Sequence, residues 1–252
     1  MNQICCVGVG KQFSREGGGI PLLAHRAPWK KSTESDKFWA LKGVDLTVSP
    51  GQRIGIWGAN GCGKTTLLRI IAGITHPTCG RVAVNGHVVP LIEPWSGMQH
   101  DLTGRENIYL SGIILGMCRR EVQRKFDSIV EFAGLSRFLH MPLKHYSWGM
   151  IVRLGFSIAI HVEADILLVD EIWGVGDREF QTKSFNEIRR IQAQGVTTLI
   201  VSHDLEVIRL LADEVWWLKE GGIAAWGPKD SVFSSLAPIP EPSVSSLDVW
   251  NH

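Results

Sequence analysis

The feature that most restricts the fold is a glycine-rich run at residues 58–65, which reads Gly-Ala-Asn-Gly-Cys-Gly-Lys-Thr. It lies between an apolar segment at 53–57, predicted to be a buried strand, and a predicted helix at 65–72 with one apolar face. Glycines permit a tight turn whose N–H groups converge on an anion, and the positive end of the following helix dipole favours the same anion. The complete pattern in this context predicts a phosphate-binding loop.

Two side chains of this loop add chemistry to its backbone. Lys64 supplies a positive charge for the β- and γ-phosphates of a nucleotide, and the hydroxyl of Thr65 is a ligand for Mg²⁺. The strand and helix on either side argue against the alternative, a glycine-rich turn with a chance lysine. The predicted phosphate-contacting residues are Asn60, Gly61, Cys62, Gly63, Lys64, Thr65 and Thr66.

Polar residues follow two further predicted strands. Asp170 and Glu171 come directly after the apolar run 166–169, and His203 follows a strand at 197–201. An acidic pair in this position is often a helix N-cap, and a lone histidine is more often structural than catalytic. Because open α/β sheets bind ligands at the carboxyl ends of their strands, we instead predict three roles. Asp170 binds Mg²⁺, Glu171 polarises the attacking water, and His203 contacts the γ-phosphate.

The alternation of strands and helices predicts the fold class. Strand character recurs at 165–169, 197–201 and 214–218 with helical segments between, which indicates a largely parallel sheet covered on both faces. We also expect an edge strand at 4–13 and a single strand at 81–89 that Asn85-Gly86 interrupts.

Strand signals vanish over residues 102–145, where apolar residues recur at helical spacing. We interpret a helical subdomain, about 102–160, inserted into one domain that covers 1–235. The segment from Ser14 to Lys37 has the composition of a loop, and the Pro- and Ser-containing tail 236–252 is predicted to be disordered.

The composition bounds the function without identifying it. A net charge of +1 over 252 residues gives no electrostatic indication of a nucleic-acid partner. The five scattered cysteines indicate reduced thiols rather than a disulfide framework. Since no run approaches the roughly 18–20 apolar residues that span a bilayer, we expect a soluble chain that reaches a membrane through a partner.

The last element is the sequence Tyr-Ser-Trp-Gly-Met at 146–150, directly before a predicted helix. Ser147 suits the N-cap of that helix, and Gly149 would let another group approach the backbone closely. Taken alone, this sequence would indicate an ordinary helix cap.

Along the chain, the phosphate loop is followed by the 146–150 sequence, the acidic strand end and then the histidine, and all four in that order resemble the nucleotide-binding subunit of ATP-binding cassette (ABC) transporters. The resemblance implies a P-loop NTPase fold of ABC type, with a RecA-like core, an antiparallel β edge and the inserted helical subdomain. Narrower features are similar to the branch that exports capsular polysaccharide, O-antigen and teichoic acid. They are the run 102–109, the 146–150 sequence, Val175-Gly176-Asp177, and the long loop before Phe38.

The resemblance also implies cofactors and a dimer. ATP with Mg²⁺ would lie between the phosphate loop of one copy and Ser147 and Gly149 of a second copy bound head to tail. Asp177 would lie on a loop that crosses the dimer interface. Phe13 matches the aromatic residue that stacks on adenine; Trp39 is the other candidate for that role, and the alternative for Phe13 is a core residue of an edge strand.

Two positions depart from the family pattern. Trp148 stands where Ser or Gly is usual, so either hydrolysis is slow or its ring points to the helical subdomain. Either Glu93 or Gln99 could supply the side chain that assists Mg²⁺ and water.

The implied function is ATP hydrolysis that powers glycan export through an ABC-2 type permease, at the cytoplasmic face of the bacterial inner membrane and without a nucleic-acid partner. The alternatives are another exporter, a regulatory nucleotide binder with weak hydrolysis, and a cassette ATPase of ribosomes or DNA repair.

Overall fold

The structure is a computed structural model, and it describes residues 2–14, 37–171 and 177–235. Most of the predicted loop before Lys37, the residues Val175 and Gly176, and the predicted disordered tail 236–252 lie outside the described residues.

The strands are β1 (Ile4–Ser14), β2 (Lys37–Val48), β3 (Arg53–Trp57), β4 (Cys79–Val84), β5 (Val88–Leu91), β6 (Ile166–Asp170), β7 (Thr197–Val201), β8 (Glu214–Lys219) and β9 (Gly222–Pro228). The helices are α1 (Lys64–Ile71), α2 (Gly104–Ile114), α3 (Arg119–Ala133), α4 (Trp148–Ile160), α5 (Arg178–Ala193), α6 (Leu205–Leu211) and α7 (Lys229–Ser235).

The main sheet has the strand order β5-β6-β7-β3-β8-β9, in which all neighbours are parallel except β8 and β9. Its central strands are continuous apolar runs because both faces are covered; all residues of β7, for example, are buried. Since β6, β7 and β3 are adjacent and parallel, the segments that follow them meet at one edge of the sheet. That edge carries the phosphate loop, Asp170 with Glu171, and His203.

A second, antiparallel sheet has the order β2-β1-β4. The prediction that residues 4–13 form an edge strand is wrong, because β1 pairs on both sides and its Ile4 and Val9 are fully buried. The interruption predicted at Asn85-Gly86 is present, but the two parts of the predicted strand 81–89 belong to two separate strands. Gly86, with φ of 118°, turns the chain between β4 in this sheet and β5 at the edge of the main sheet.

The helices α2, α3 and α4 lie between β5 and β6 in the chain and pack against one another. Thr103 begins α2 with a capping box: its hydroxyl accepts a hydrogen bond from the N–H of Glu106, whose carboxylate accepts one from the N–H of Thr103. A parallel sheet, an antiparallel β edge and a helical insertion together confirm the predicted fold class. Among the described residues, no helix combines the length and the apolar content that crossing a membrane requires.

Candidate functional site

The phosphate loop joins the end of β3 to the first turn of α1. Gly63 is the N-cap of α1 with φ of 110°, and a Cβ there would lie 2.4 Å from the carbonyl oxygen of Ala40, so only glycine fits. No side chain caps α1, which leaves the N–H groups of its first turn for an anion. The buried Lys64 donates hydrogen bonds from Nζ to the carbonyl oxygens of Gly58 (2.8 Å) and Ala59 (3.2 Å).

A cavity of about 360 Å³ lies against this loop. Its lining comprises Phe13, Phe38, Ala40, Asn60, Gly61, Gly63, Lys64, Thr65, Thr66 and Glu171. The structure therefore brings most of the predicted phosphate-contacting residues together with one predicted catalytic carboxylate. Cys62 is buried in the loop and does not line this cavity.

An aromatic pair closes one side of the cavity. Phe13 and Phe38 are cross-strand partners on β1 and β2, and their rings stack with centroids 5.8 Å apart. Phe13 is 38% exposed, so it is not a core residue of an edge strand. Trp39 follows Phe38 and points to the opposite face of the strand, where its ring lies against Gly10. Phe38 was missed because only the register of β1 and β2 pairs it with Phe13.

Asp170 ends β6 beside the start of α1. Burial raises the pKa of its carboxyl group, while a hydrogen bond from the Thr65 hydroxyl acts in the opposite direction. The neighbouring Glu171 raises that pKa further, and the charges of Lys64 and Arg69 lower it. A half-buried carboxylate next to a hydroxyl is a donor set that suits a hard cation such as Mg²⁺.

Glu171 and His203 face each other across the same edge. Glu171 has φ of 37°, a conformation that is uncommon for a residue with a side chain, and its N–H donates to the carbonyl oxygen of Val201 (3.1 Å). Its Oε1 lies 3.4 Å from Nδ1 of His203. Backbone strain of this kind is often found at active sites.

The structure separates the two candidates in the loop after β5. Glu93 forms an ion pair with Arg69 of α1, the helix that follows the phosphate loop. Gln99 lies at the start of the helical insertion, where its N–H donates to Oδ1 of Asn107 (2.8 Å) and its carbonyl oxygen accepts from Nδ2 of Asn107 (3.0 Å). Neither Glu93 nor Gln99 lines the cavity of the phosphate loop, so both stay candidates for assisting Mg²⁺ and water.

Ser147 is the N-cap of α4, and its hydroxyl accepts a hydrogen bond from the N–H of Met150 (3.2 Å). A Cβ on Gly149 would meet nothing closer than Oγ of Ser147 at 4.0 Å, so packing within the chain does not require glycine there. Neither residue lines the cavity of the phosphate loop in the same chain. The ring of Trp148 lies on Trp95, with centroids 4.6 Å apart in an edge-to-face arrangement.

Asp177 is the N-cap of α5, where its Oδ1 accepts from the N–H of Phe180 (2.9 Å). Its other carboxylate oxygen forms an ion pair with Nη1 of Arg153 at 3.1 Å. Arg153 belongs to α4 and also donates from Nε to the carbonyl oxygen of Ala133 (3.1 Å). Asp177 is thus fixed to the helix that begins at Ser147, a link that sequence spacing alone did not indicate.

The amino-acid sequence was compared with protein families and with known proteins. The family described as ABC transporter matches residues 41–173. The ABC transporter protein AbcA of Aeromonas salmonicida is 40% identical over 89% of this chain and 72% of its own length. The O-antigen export system ATP-binding protein RfbB of Klebsiella pneumoniae is 39% identical over 86% of this chain and 88% of its own length. The teichoic acids export ATP-binding protein TagH of Enterococcus faecalis is 44% identical over 75% of this chain, which spans 42% of that longer protein.

Solved structures give the same fold. The dimeric structure of an ATP-binding cassette in a post-hydrolysis state, bound to ADP and Pi, matches with a TM-score of 0.72 at 22% identity, over 90% of this chain and 98% of that one. The ATP-binding subunit of an ABC transporter matches with a TM-score of 0.74 at 20% identity, over 98% of both chains. At these identities the similarity concerns the fold.

Proposed function

This chain belongs to the ABC transporter family as an ATP-binding, ATP-hydrolysing subunit, and we propose that it powers export of a polysaccharide or lipid-linked glycan through a separate membrane permease. The observation that carries the proposal is the similarity to proteins named for export of O-antigen and of teichoic acids, at 39% and 44% identity. Both cargoes are glycans or glycan-like polymers. ATP hydrolysis for another kind of exporter is the second candidate, since AbcA is named without a cargo.

The residues of the cavity, together with Asp170 and His203 at the same edge of the sheet, divide the work of hydrolysis. The backbone of residues 60–66 and the charge of Lys64 hold the phosphates, and the ring of Phe13 stacks on adenine. Thr65 and Asp170 would hold Mg²⁺, which neutralises charge on the β- and γ-phosphates when bound. Glu171 accepts a proton from the attacking water, and His203, 3.4 Å from Glu171, contacts the γ-phosphate.

A second copy of the chain completes this site. Ser147 caps the N-terminus of α4 with its own hydroxyl, and Gly149 has free space around it, so that another group can approach the first turn of this helix. The N–H groups of that turn and the hydroxyl of Ser147 suit the γ-phosphate of ATP bound to the other copy. Asp177 is held to α4 by its ion pair with Arg153 and is proposed to reach the dimer interface.

Replacing Phe13 with alanine is expected to raise the KM for ATP about three- to tenfold with little change in kcat, because the lost stacking acts equally in ground and transition states. Phe38→Ala is expected to give a smaller rise, since Phe38 supports the Phe13 ring. Trp39→Ala is the matched control on the opposite face of β2. Steady-state ATPase assays over a range of ATP concentrations measure all three. A larger rise for Trp39→Ala than for Phe13→Ala would contradict the assignment of adenine to Phe13.

A groove of about 270 Å³ between the phosphate-loop half and the helical insertion is the proposed site for the permease. Its lining includes Ile92, Pro94, Ile114 and Leu115, and Ile114 is 59% exposed. The groove also contains Ser111, whose buried hydroxyl has no hydrogen-bond partner among the described residues. The lining also includes the Arg69–Glu93 ion pair, and a groove that combines apolar side chains with polar groups suits an amphipathic segment of an integral membrane protein. We propose an ABC-2 type permease, which places the chain at the cytoplasmic face of the bacterial inner membrane.

Ile114→Glu tests this partner directly. A charge on the exposed rim of the groove is expected to reduce co-purification of a co-expressed ABC-2 type permease at least about tenfold, because the carboxylate would be desolvated on docking. The ATPase rate of the isolated variant is expected to stay at the wild-type value. Gln123→Glu, at an exposed position of α3 outside the groove lining, is the control, because it adds the same single negative charge. Undiminished co-purification with Ile114→Glu would contradict the groove as the docking site.

A further inference from the structure

One segment connects the two halves of the ATP site within a single chain. We call it the bridging loop; it comprises residues 92–99 and leads from β5 towards α2. Near its start, Glu93 forms an ion pair with Arg69 of α1, the helix that begins at Lys64 of the phosphate loop. The beginning of the bridging loop is therefore attached to the half of the molecule that grips phosphate.

The next residues of the bridging loop contact α4, the helix that begins after Ser147. The carbonyl oxygen of Pro94 lies so close to Gly155 that a Cβ there would come within 2.3 Å of it. One residue later, the ring of Trp95 meets the ring of Trp148 at 4.6 Å between centroids and 61° between planes. Trp148 is the first residue of α4, directly between Ser147 and Gly149.

We propose that Trp95 and Trp148 form a positioning pair, which sets the N-terminal turn of α4 relative to the phosphate-loop helix through the bridging loop. The pair would thereby fix where Ser147 and Gly149 meet the ATP held by a second copy. This inference rests on the proposed function, because it assumes that the α4 turn contacts ATP. It assigns a role to the tryptophan that departs from the family pattern at position 148.

Because the side chain of Trp148 is largely exposed, its role in positioning α4 can be tested separately from any role in the hydrophobic core. The residue is 56% exposed, and its ring contacts the ring of Trp95. Trp95 is half-buried and packs against the hydrophobic core that includes Leu154 and Phe156 of α4. Removing the Trp148 ring therefore deletes the contact to the bridging loop and leaves the core largely packed. We expect kcat to fall while the melting temperature changes little.

The experiment compares kcat and the KM for ATP of the purified full chain in Trp148→Ala, Trp95→Ala, the double variant and Trp148→Phe. Each alanine variant is expected to lower kcat about three- to tenfold and to leave the KM within about twofold, the size expected for one lost aromatic pair. The double variant should be no worse than the more impaired single variant, because both changes remove one contact. Trp148→Phe keeps an aromatic edge and should retain most of the rate. Trp226→Ala, at a 71% exposed tryptophan on β9, is the control.

Three outcomes would overturn the positioning pair: an unchanged kcat in Trp148→Ala, losses that multiply in the double variant, or an equal loss in Trp148→Phe. If Trp95→Ala melts at a much lower temperature, its kcat no longer reports on the positioning pair. The kcat values of Trp148→Ala and Trp148→Phe then test the pair without it. Absence of turnover in the wild-type chain would instead count against the proposed function. Wild-type turnover together with unaffected tryptophan variants overturns the positioning pair and leaves the proposed function standing.

Discussion

Replacing Glu171 with glutamine is expected to lower the rate of ATP hydrolysis by about two to four orders of magnitude, the usual contribution of a positioned general base. Glutamine keeps the size of the side chain and cannot accept the proton of the attacking water. The Glu171 carboxylate lies at the edge of the cavity and 3.4 Å from His203, so the water it activates would be next to the γ-phosphate. Steady-state phosphate release measures the effect.

ATP binding should survive this change, because the phosphate loop and Phe13 are untouched. Lys64→Ala is the contrasting variant, and it should lose ATP binding together with turnover, since the charge for the β- and γ-phosphates is gone. A Glu171→Gln variant that hydrolyses ATP at more than about a tenth of the wild-type rate would exclude Glu171 as the general base.

The second large effect is expected at Gly149, where alanine should lower turnover about a hundredfold without destabilising the chain. A methyl group on the α4 turn would hold the γ-phosphate of the other copy about 1 Å away, and displacements of that size can cost about this factor. Within the chain, however, a Cβ at this position meets nothing closer than 4.0 Å. Alanine also favours the helix by about 0.5–1 kcal/mol over glycine.

Gly63→Ala is the matched comparison, because there the added Cβ would lie 2.4 Å from a backbone oxygen at a φ of 110°. It should lower both the melting temperature and the turnover, whereas Gly149→Ala should lower the turnover alone. If Gly149→Ala instead retained the wild-type rate, close approach of a ligand to this turn would be ruled out.

The residues of the candidate ATP site could be predicted from sequence because they are either contiguous in the chain or located at the end of a strand. Gly58 to Thr65 is a local pattern with a local reason for each residue, and Asp170, Glu171 and His203 follow apolar runs that only a parallel sheet brings together. The family assignment drawn from these motifs is confirmed. The nucleotide roles of the individual side chains remain predictions.

Pairing between distant strands could not be predicted in the same way. β1 is the central strand of the antiparallel sheet because it pairs with both β2 and β4, and β4 is distant from β1 in sequence. The chain turns at Gly86, and the strands before and after it, β4 and β5, belong to different sheets. The residues on the two sides of Gly86 do not indicate this separation. The same reason applies to Phe38, which reaches the cavity only through its register with Phe13.

The contacts of side chains on separate elements were the least predictable. Spacing along the chain left Glu93 and Gln99 as equal candidates, and it did not indicate that Glu93 forms an ion pair with Arg69 while the backbone of Gln99 bonds to Asn107. One of the two expectations for Trp148 concerned the direction of its ring, and the structure places that ring on Trp95 of the bridging loop. Its effect on the rate of hydrolysis is what the alanine and phenylalanine variants measure.

The central claim is that a second copy of this chain completes the ATP site, and the mass of Glu171→Gln in solution tests it most directly. Light scattering after size exclusion should give the mass of one chain, 27.9 kDa, without nucleotide, and twice that mass with Mg²⁺ and ATP. Adding Gly149→Ala to the variant should abolish the doubling while ATP still binds. A chain that stays at 27.9 kDa with ATP bound would contradict the composite site.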